Sequence, residues 1–167
     1  GTIPASVWNL SQLQVLSMTN NSLSGGLPCE AFKNLTELIQ LFVGSNSFSG
    51  NLPSKFNHKL QDFDVSDNQF TGQIPSSIFE SSQLQTFSAS VNCLSTQLPD
   101  SICQATSLKN LLIGGLKRGN CGAASTAYTA YTTLPTCIWS LKSLQQLYLS
   151  GNSYSGKIEN VALVNLT

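Results

Sequence analysis

The densest group of reactive side chains in the sequence is Asp62, Asp64 and Asp67. Asp62 and Asp64 flank Phe63, so an extended strand would point both carboxylates to the same side. Such a pair can bind a small cation or a basic group of a partner. A calcium loop would supply further oxygen ligands at a set spacing, and none follows here, so a solvated polar strand is the simpler interpretation.

The sequence lacks the other groups of residues on which catalysis usually depends. His58 is the only histidine, and alone it is expected to be solvated rather than to act as a base. No glycine-rich phosphate loop, serine nucleophile elbow or Cys-x-x-Cys pair is present. We therefore expect no catalytic residue, no metal site and no cofactor, and hence no enzyme.

Charge and composition exclude several classes of protein. Of the 167 residues, 10% are charged, with Lys+Arg 8 and Asp+Glu 8 in balance, whereas about 25% is typical of soluble domains. A chain without a basic patch is not expected to bind nucleic acid. No apolar run reaches the roughly 18 residues of a membrane span, so we expect no membrane segment in this chain.

Four Asn-x-Ser/Thr triplets mark candidate sites of N-glycosylation, at Asn9, Asn20, Asn34 and Asn165. The modification would require the secretory route and an exposed asparagine. A sequence rich in asparagine and serine also produces such triplets by chance. We favour glycosylation, and with it a secreted or cell-surface location.

A repeat of about 24 residues runs through most of the chain and must position these side chains. Its first copy consists of Leu13, Leu16, Met18, Asn21, Leu23, Gly25, Leu27 and Pro28. The recurring asparagines, which are 25, 22, 24 and 60 positions apart, are Asn21, Asn46, Asn68, Asn92 and Asn152. The last gap fits one degenerate repeat enlarged by an insertion at 114–133, in which Asn120 would be the displaced asparagine.

Each part of the repeat has a physical role. Leu16 and Met18 alternate with polar residues, which is typical of a strand with one buried side. One repeat buries too little apolar surface alone, so the copies must stack. We expect the asparagines to form a ladder that bonds backbone groups at the turns, because an unpaired buried group costs about 1–3 kcal/mol. Unusual backbone angles are expected at the recurring glycines, Gly25, Gly50, Gly72 and Gly156.

These repeats resemble the plant-type leucine-rich repeat, LxxLxLxxNxLxGxIP, over nearly the whole chain apart from 114–133. The resemblance implies an α/β solenoid: a curved leucine-rich repeat with one short parallel strand per repeat, and about six repeats plus partial repeats at both ends. Receptor-like kinase ectodomains and polygalacturonase-inhibiting proteins are similar. We expect a single solenoid over 1–167 that is an interior fragment of a longer chain, because neither end shows the cap that exposed solenoid ends need.

If the strands pair in register, two rows of side chains face outward on the concave sheet, where this family usually binds. The first row is Val15, Gln40, Asp62, Thr86, Asn110 and Gln146. The second row is Ser17, Phe42, Asp64, Ser88, Leu112 and Tyr148. Phe42, Leu112 and Tyr148 are placed like interface anchors, although such side chains also simply shield a flat sheet. Together with Asp62 and Asp64 they are the candidate ligand-binding residues.

The five cysteines are Cys29, Cys93, Cys103, Cys121 and Cys137. Cys93 and Cys121 each follow an asparagine of the proposed ladder, and Cys103 and Cys137 each come shortly after a Leu-Pro. Cys93–Cys121 and Cys103–Cys137 are therefore candidate disulfides, although sequence alone does not fix connectivity. Small buried thiols that fill corners of the solenoid are the alternative. Cys29 would be either buried or bonded to something outside this chain.

The sequence thus predicts an extracellular, non-enzymatic recognition module whose concave face binds a protein or peptide, or a glycan. The alternative is a structural subunit of an extracellular matrix, an appendage or a large complex, in which other chains cover the uncapped ends. The near absence of charge favours that alternative, because uncharged surfaces pack without repulsion. The insertion at 114–133 either carries recognition or packs on its own solenoid, and we favour the second.

Overall fold

A computed structural model of the chain describes residues 1–29, 31–117 and 132–158. Six parallel strands form one sheet in the order β1-β3-β5-β7-β9-β10, so strands that follow one another along the solenoid are neighbours. We number the coils 1 to 6 by these strands. They are Val15–Ser17 (β1), Gln40–Phe42 (β3), Asp62–Asp64 (β5), Thr86–Ser88 (β7), Asn110–Leu112 (β9) and Gln146–Tyr148 (β10).

The register of this sheet is regular. Val15, Gln40, Asp62, Thr86 and Asn110 are paired in turn, at separations of 25, 22, 24 and 24 positions. Asn110 then pairs with Gln146, which is 36 positions further along the chain. The longer separation includes the expected insertion at 114–133, of which residues 118–131 lie outside the described part of the structure.

A second parallel sheet, which the sequence analysis did not predict, runs along the flank of coils 1 to 4. Its order is β2-β4-β6-β8, and its strands are Ser24–Gly25 (β2), Ser47–Asn51 (β4), Gln69–Gly72 (β6) and Cys93–Leu94 (β8). As expected, Gly25, Gly50 and Gly72 have positive φ of 92°, 83° and 80°. A side chain would strain that conformation, so glycine here lets the chain turn out of the sheet.

Short helical segments complete the coils. One is an α-helix, Ala31–Asn34, and the others are 3-10 helices, Ala5–Asn9, Ser76–Ile78, Asp100–Gln104 and Thr136–Ser140. Each 3-10 helix directly follows a proline, whose fixed φ suits the residue before the first turn of a helix. Neighbouring helical segments pack on each other, so the stacking of the coils continues on this side.

Aromatic rings connect the coils through the interior. Successive centroids are 6.4, 5.2, 5.2, 5.9 and 5.6 Å apart along Trp8, Phe32, Phe56, Phe63, Phe87 and Phe79. These separations fall in the range in which aromatic pairs attract one another beyond the burial of their surface. Leu41 and Phe63 are fully buried, whereas Leu16 of coil 1 and Leu147 of coil 6 are only partly buried. The middle coils are therefore the best packed.

The asparagine ladder is confirmed. Asn68 Nδ2 donates to the carbonyl oxygens of Val43 at 3.0 Å and Val65 at 3.2 Å, and its Oδ1 accepts the Phe48 N–H at 2.9 Å. One buried amide thus bonds its own coil and the preceding one. The same kind of bridge to the preceding coil is made by Asn46, Asn92 and Asn152.

The ladder is interrupted in coil 5. Leu116 lies three residues after Ile113, at the position that Asn92 occupies relative to Ala89, and it is fully buried. The leucine side chain cannot bridge to coil 4. Asn152 of coil 6 accepts the Leu116 N–H at 2.8 Å, as the earlier ladder asparagines accept an N–H of the coil before them. Asn120, the expected displaced ladder residue, lies outside the described part of the chain.

Two further contacts connect the coils on either side of this interruption, a disulfide between neighbouring coils and a hydrogen bond between coils 4 and 6. Cys103 and Cys137 form a disulfide with a Cα–Cα distance of 5.5 Å, which is one of the two pairings considered above. The Tyr154 hydroxyl donates to the Thr96 carbonyl oxygen at 2.7 Å. Burial raises the pKa of Tyr154 above its ordinary value, because desolvation disfavours the phenolate.

The other two cysteines of the described residues, Cys93 and Cys29, differ in their bonding and exposure. Cys93 is disulfide-bonded, and its candidate partner, Cys121, lies outside the described residues. Cys29 is exposed, so the buried alternative is wrong, and a bond to something outside this chain stays a prediction. The Ser54 hydroxyl lies 3.7 Å from its sulfur atom.

Candidate ligand-binding face

The outward side of the six-stranded sheet, which we call the binding face, consists of the two predicted rows. The central residue of each strand in coils 2 to 5 is buried and its two neighbours are partly exposed. The register pairs Ser17 with Phe42, Phe42 with Asp64, and so on through Ser88 and Leu112. Tyr148 completes the row in coil 6. Both rows are therefore confirmed as continuous lines of neighbouring side chains.

Apolar side chains stand at both ends of the binding face. Tyr148 is 55% exposed and Val15 is 48% exposed, whereas Phe42 and Leu112 are half-buried among their neighbours on the sheet. Large exposed hydrophobic residues that line up on one surface often mark interaction sites. The alignment comes from the pairing of strands, because parallel strands in register place equivalent side chains in one line.

The two carboxylates of coil 3 are held in place by neighbouring polar groups. Asp62 Oδ2 accepts the Gln40 Nε2–H at 2.8 Å. Asp64 Oδ1 accepts both the backbone N–H of Ser66 at 2.9 Å and its hydroxyl at 2.6 Å. Asp67 is exposed after the strand. Within the described residues, no group of three or more histidine, cysteine or acidic side chains could hold a metal ion.

A line of amides and one lysine continues the hydrogen bonding beside the first row. These residues, Gln61, Gln85 and Lys109, each directly precede a residue of that row. Gln85 Nε2 donates to Gln61 Oε1 at 3.3 Å, and Lys109 Nζ donates to Gln85 Oε1 at 2.8 Å. Asn110 Nδ2 lies 3.1 Å from the Thr86 hydroxyl oxygen and donates to it. These contacts join side chains of coils 3, 4 and 5, so the middle of the binding face is a connected hydrogen-bonding surface.

Gly44 is a residue of this face that the sequence analysis missed. A Cβ atom at Gly44 would lie 3.0 Å from Asp64 Oδ2 and 3.1 Å from the Ser66 hydroxyl. The missing side chain leaves room for the Asp64 carboxylate beside coil 2. The equivalent residue of the next two coils is a serine, Ser66 or Ser90. The glycine in place of serine at position 44 was therefore the signal that the sequence offered.

The other predicted site residues lie outside the two rows. His58 is exposed. Asn9, Asn20 and Asn34 are exposed, as a glycan acceptor must be, and Asn34 Nδ2 lies 3.4 Å from Asn9 Oδ1. Asn165, the fourth candidate acceptor, lies outside the described residues.

A protein-family model described as Leucine Rich Repeat matches residues 12–35 and 59–80. The chain has the leucine-rich repeat fold. No curated protein sequence matches this leucine-rich repeat chain significantly. In the described part of the chain, no helix has the length and apolar character needed to cross a membrane.

Solved structures of plant receptors share the leucine-rich repeat fold. The plant peptide hormone receptor RGFR1, in complex with RGF2, is 26% identical over 90% of this chain and 22% of the receptor chain, with a TM-score of 0.77. The Arabidopsis receptor kinase HAESA, in complex with the peptide hormone IDA and the co-receptor SERK1, is 28% identical over 90% of this chain and 24% of that one, with a TM-score of 0.77. A TDR receptor is 29% identical over 89% and 24%, with a TM-score of 0.76. The leucine-rich repeat chain thus spans less than a quarter of each of these structures.

Proposed function

We propose that the chain is an extracellular, non-enzymatic recognition module that binds a protein or peptide on the binding face. The observation that carries the proposal is the continuous register of the two rows, which lines up Phe42, Leu112 and Tyr148 on one exposed surface. Between them stand hydroxyl, amide and carboxylate groups whose bonds fix their positions. Such a surface combines apolar anchors with oriented polar groups, as binding interfaces do.

The similar receptors support a peptide or protein as the partner. RGFR1 is solved with RGF2, and HAESA with the peptide hormone IDA and the co-receptor SERK1. Because this chain spans under a quarter of those receptors, we carry over the class of partner and no individual ligand. The side chains of this chain's own binding face must therefore indicate which protein or peptide it binds.

Two features support the extracellular location. Asn9, Asn20 and Asn34 are exposed within their acceptor triplets. The Cys103–Cys137 disulfide joins two coils, and disulfides persist mainly in secreted proteins and on cell surfaces. Mass spectrometry of non-reduced peptides from native material tests this part of the proposal. We expect a glycan on Asn9 or Asn34, and unmodified asparagines together with free Cys103 and Cys137 thiols would overturn the location.

Selection of ligands from a displayed library of random peptides tests the binding face. Selected peptides are titrated against the chain and against the Phe42→Ala and Tyr148→Ala variants. We expect each variant to weaken binding about tenfold, because exposed aromatic anchors commonly contribute that much to an interface. Leu10→Ala is the matched control, since Leu10 is 50% exposed and lies outside the sheet. Unchanged binding by both variants would remove the assignment of this face.

A further inference from the structure

We infer that the partner of the binding face is an extended peptide segment that places one lysine or arginine side chain between two apolar side chains, with the cation at Asp62 and Asp64. The inference rests on the proposed function, and it adds the chemistry and the spacing of the ligand. Three features of the face support it: its charge, its open acceptor atoms and the distances between its coils.

The charge of the binding face is negative at its centre. The two rows contain Asp62 and Asp64 but no lysine or arginine. Lys109 stands next to the first row, and its ammonium group is bonded to Gln85 Oε1 at 2.8 Å. Within the described residues, no ion pair involves either aspartate. The ion pair seen there, between Lys59 and Glu37, is away from the two rows. A cationic partner group therefore meets two uncompensated carboxylates, whereas an acidic one is repelled.

Each carboxylate retains one oxygen atom for a partner. Asp62 uses Oδ2 to accept from Gln40, and Asp64 uses Oδ1 to accept from Ser66. In the described part of the chain, Asp62 Oδ1 and Asp64 Oδ2 accept no hydrogen bond. The internal bonds orient the carboxylates in advance, and that lowers the entropy lost on binding.

The spacing of the coils sets the spacing of the ligand. Neighbouring strands of a sheet are about 4.8 Å apart, so Phe42 lies one interval from Asp64 and three intervals, about 14 Å, from Leu112. An extended peptide rises about 3.3 Å per residue, and every second side chain points to the same side. Residues i, i+2 and i+4 then span about 13 Å, which matches the distance from Phe42 to Leu112.

The expected ligand pattern is therefore apolar-x-basic-x-apolar. The central residue falls between the coils of Asp64 and Ser88, within reach of a long cationic side chain. A fully uncharged peptide would contact the same apolar ends but leave the carboxylates without a partner. A glycan would supply hydroxyl groups and no cation. The pattern thus separates this ligand class from the other partners that a polar sheet can accept.

Peptide selection against the chain and its Asp62→Asn, Asp64→Asn double variant tests the inference. We expect peptides selected on the chain to carry a lysine or arginine with apolar residues two positions away on each side. Their affinity should fall about tenfold on the double variant, and it should also fall with rising salt, as expected for ion pairs near a protein surface. Asp100→Asn is the matched control, because Asp100 is exposed on a 3-10 helix away from the binding face.

Replacement of the peptide's arginine by uncharged citrulline keeps the test independent of how well the double variant folds. We expect this peptide to bind the chain about tenfold more weakly and to lose little more on the double variant. Peptides that depend on Phe42 and Tyr148 but show no preference for a basic residue would overturn this inference and leave the proposed binding face standing. Peptides that respond to none of the substitutions on the face would overturn both.

Discussion

Asn68 is an example of a single side chain that serves two coils. Its amide donates to Val43 of coil 2 and to Val65 of coil 3, and it accepts from Phe48 of coil 2. These backbone groups are buried and out of reach of water. The sequence indicated this role because the residue recurs at one place in each copy, directly after the strand.

Replacing Asn68 with alanine should lower the free energy of unfolding by about 2–3 kcal/mol, because an N–H group and carbonyl groups lose their partner inside the solenoid. Urea unfolding followed by circular dichroism measures the change. Asn21→Ala is the control. Asn21 is exposed, and the bonds that its side-chain amide makes within the described residues go to Met18 and Thr19 of its own coil, so we expect less than about 0.5 kcal/mol. Equal losses for the two variants would contradict the ladder as a source of stability.

Tyr154 makes stability depend on alkaline pH. Burial raises its pKa in the folded state above the ordinary value of about 10. The protonated hydroxyl therefore makes its full contribution to the free energy of unfolding below about pH 10, and that contribution is lost as the pH rises further. Tyr154→Phe should cost about 1 kcal/mol at neutral pH, because the bond to Thr96 is lost. It should also weaken the decline in stability above about pH 10.

Urea midpoints at neutral pH and near pH 11 provide the measurement for Tyr154. Tyr148→Phe is the matched control, since Tyr148 is 55% exposed and its hydroxyl makes no hydrogen bond within the described part of the chain. The control should leave the loss of stability at alkaline pH unchanged. If Tyr154→Phe also left that loss unchanged, the buried Tyr154 hydroxyl would not be its cause.

At the scale of elements, a phenylalanine can lie in the core or on the surface, depending on its position in the strand. Phe63 of β5 is fully buried between Phe56 and Phe87, whereas Phe42 of β3 faces outward. Phe63→Ala should cost about 3–5 kcal/mol because it leaves a cavity. Phe42→Ala should cost less than about 1.5 kcal/mol, because its site stays open to solvent. Thermal and urea unfolding of the two variants measure the contrast, and a similar loss from both would contradict the assignment of the two faces.

The strands and their register were predictable because each strand carries its own periodic pattern. Alternation fixes which side of a strand is buried, and the repeat length fixes which residues become neighbours. The second sheet escaped prediction because three of its strands contain a glycine of the repeat, which is typical of a turn, at Gly25, Gly50 and Gly72. The fourth strand, Cys93–Leu94, has two residues, and both are buried, so no polar position marks an outward side.

Two individual contacts also escaped prediction, for different physical reasons. Gly44 matters through an absent side chain and its distance from Asp64, and only coordinates reveal that distance. The Tyr154–Thr96 bond joins residues 58 positions apart, and it depends on how the coils stack near the interrupted ladder. Neither contact repeats from coil to coil, so the repeat itself carried no signal for them.

At the scale of the whole molecule, each coil touches mainly its neighbours, so stability should vary along the solenoid. Native-state hydrogen exchange measures this variation. The strand amides of Leu41, Phe63 and Phe87, whose side chains are fully buried, should exchange slowest. The amides of Leu16 and Leu147, whose side chains are only partly buried, should exchange faster, because local opening at less covered coils costs less free energy. Uniform protection from coil 1 to coil 6 would show a single cooperative unit instead.

The register between β9 and β10 has an evolutionary consequence. These strands pair residue for residue although 36 positions separate Asn110 from Gln146, against 22 to 25 for the earlier pairs. The strands keep their alignment across this longer separation, so the chain between two strands can gain or lose length. Insertions and deletions can therefore accumulate there while the rows stay in place. Natural selection can change the loops and the ligand preference of this protein separately, one substitution or one insertion at a time.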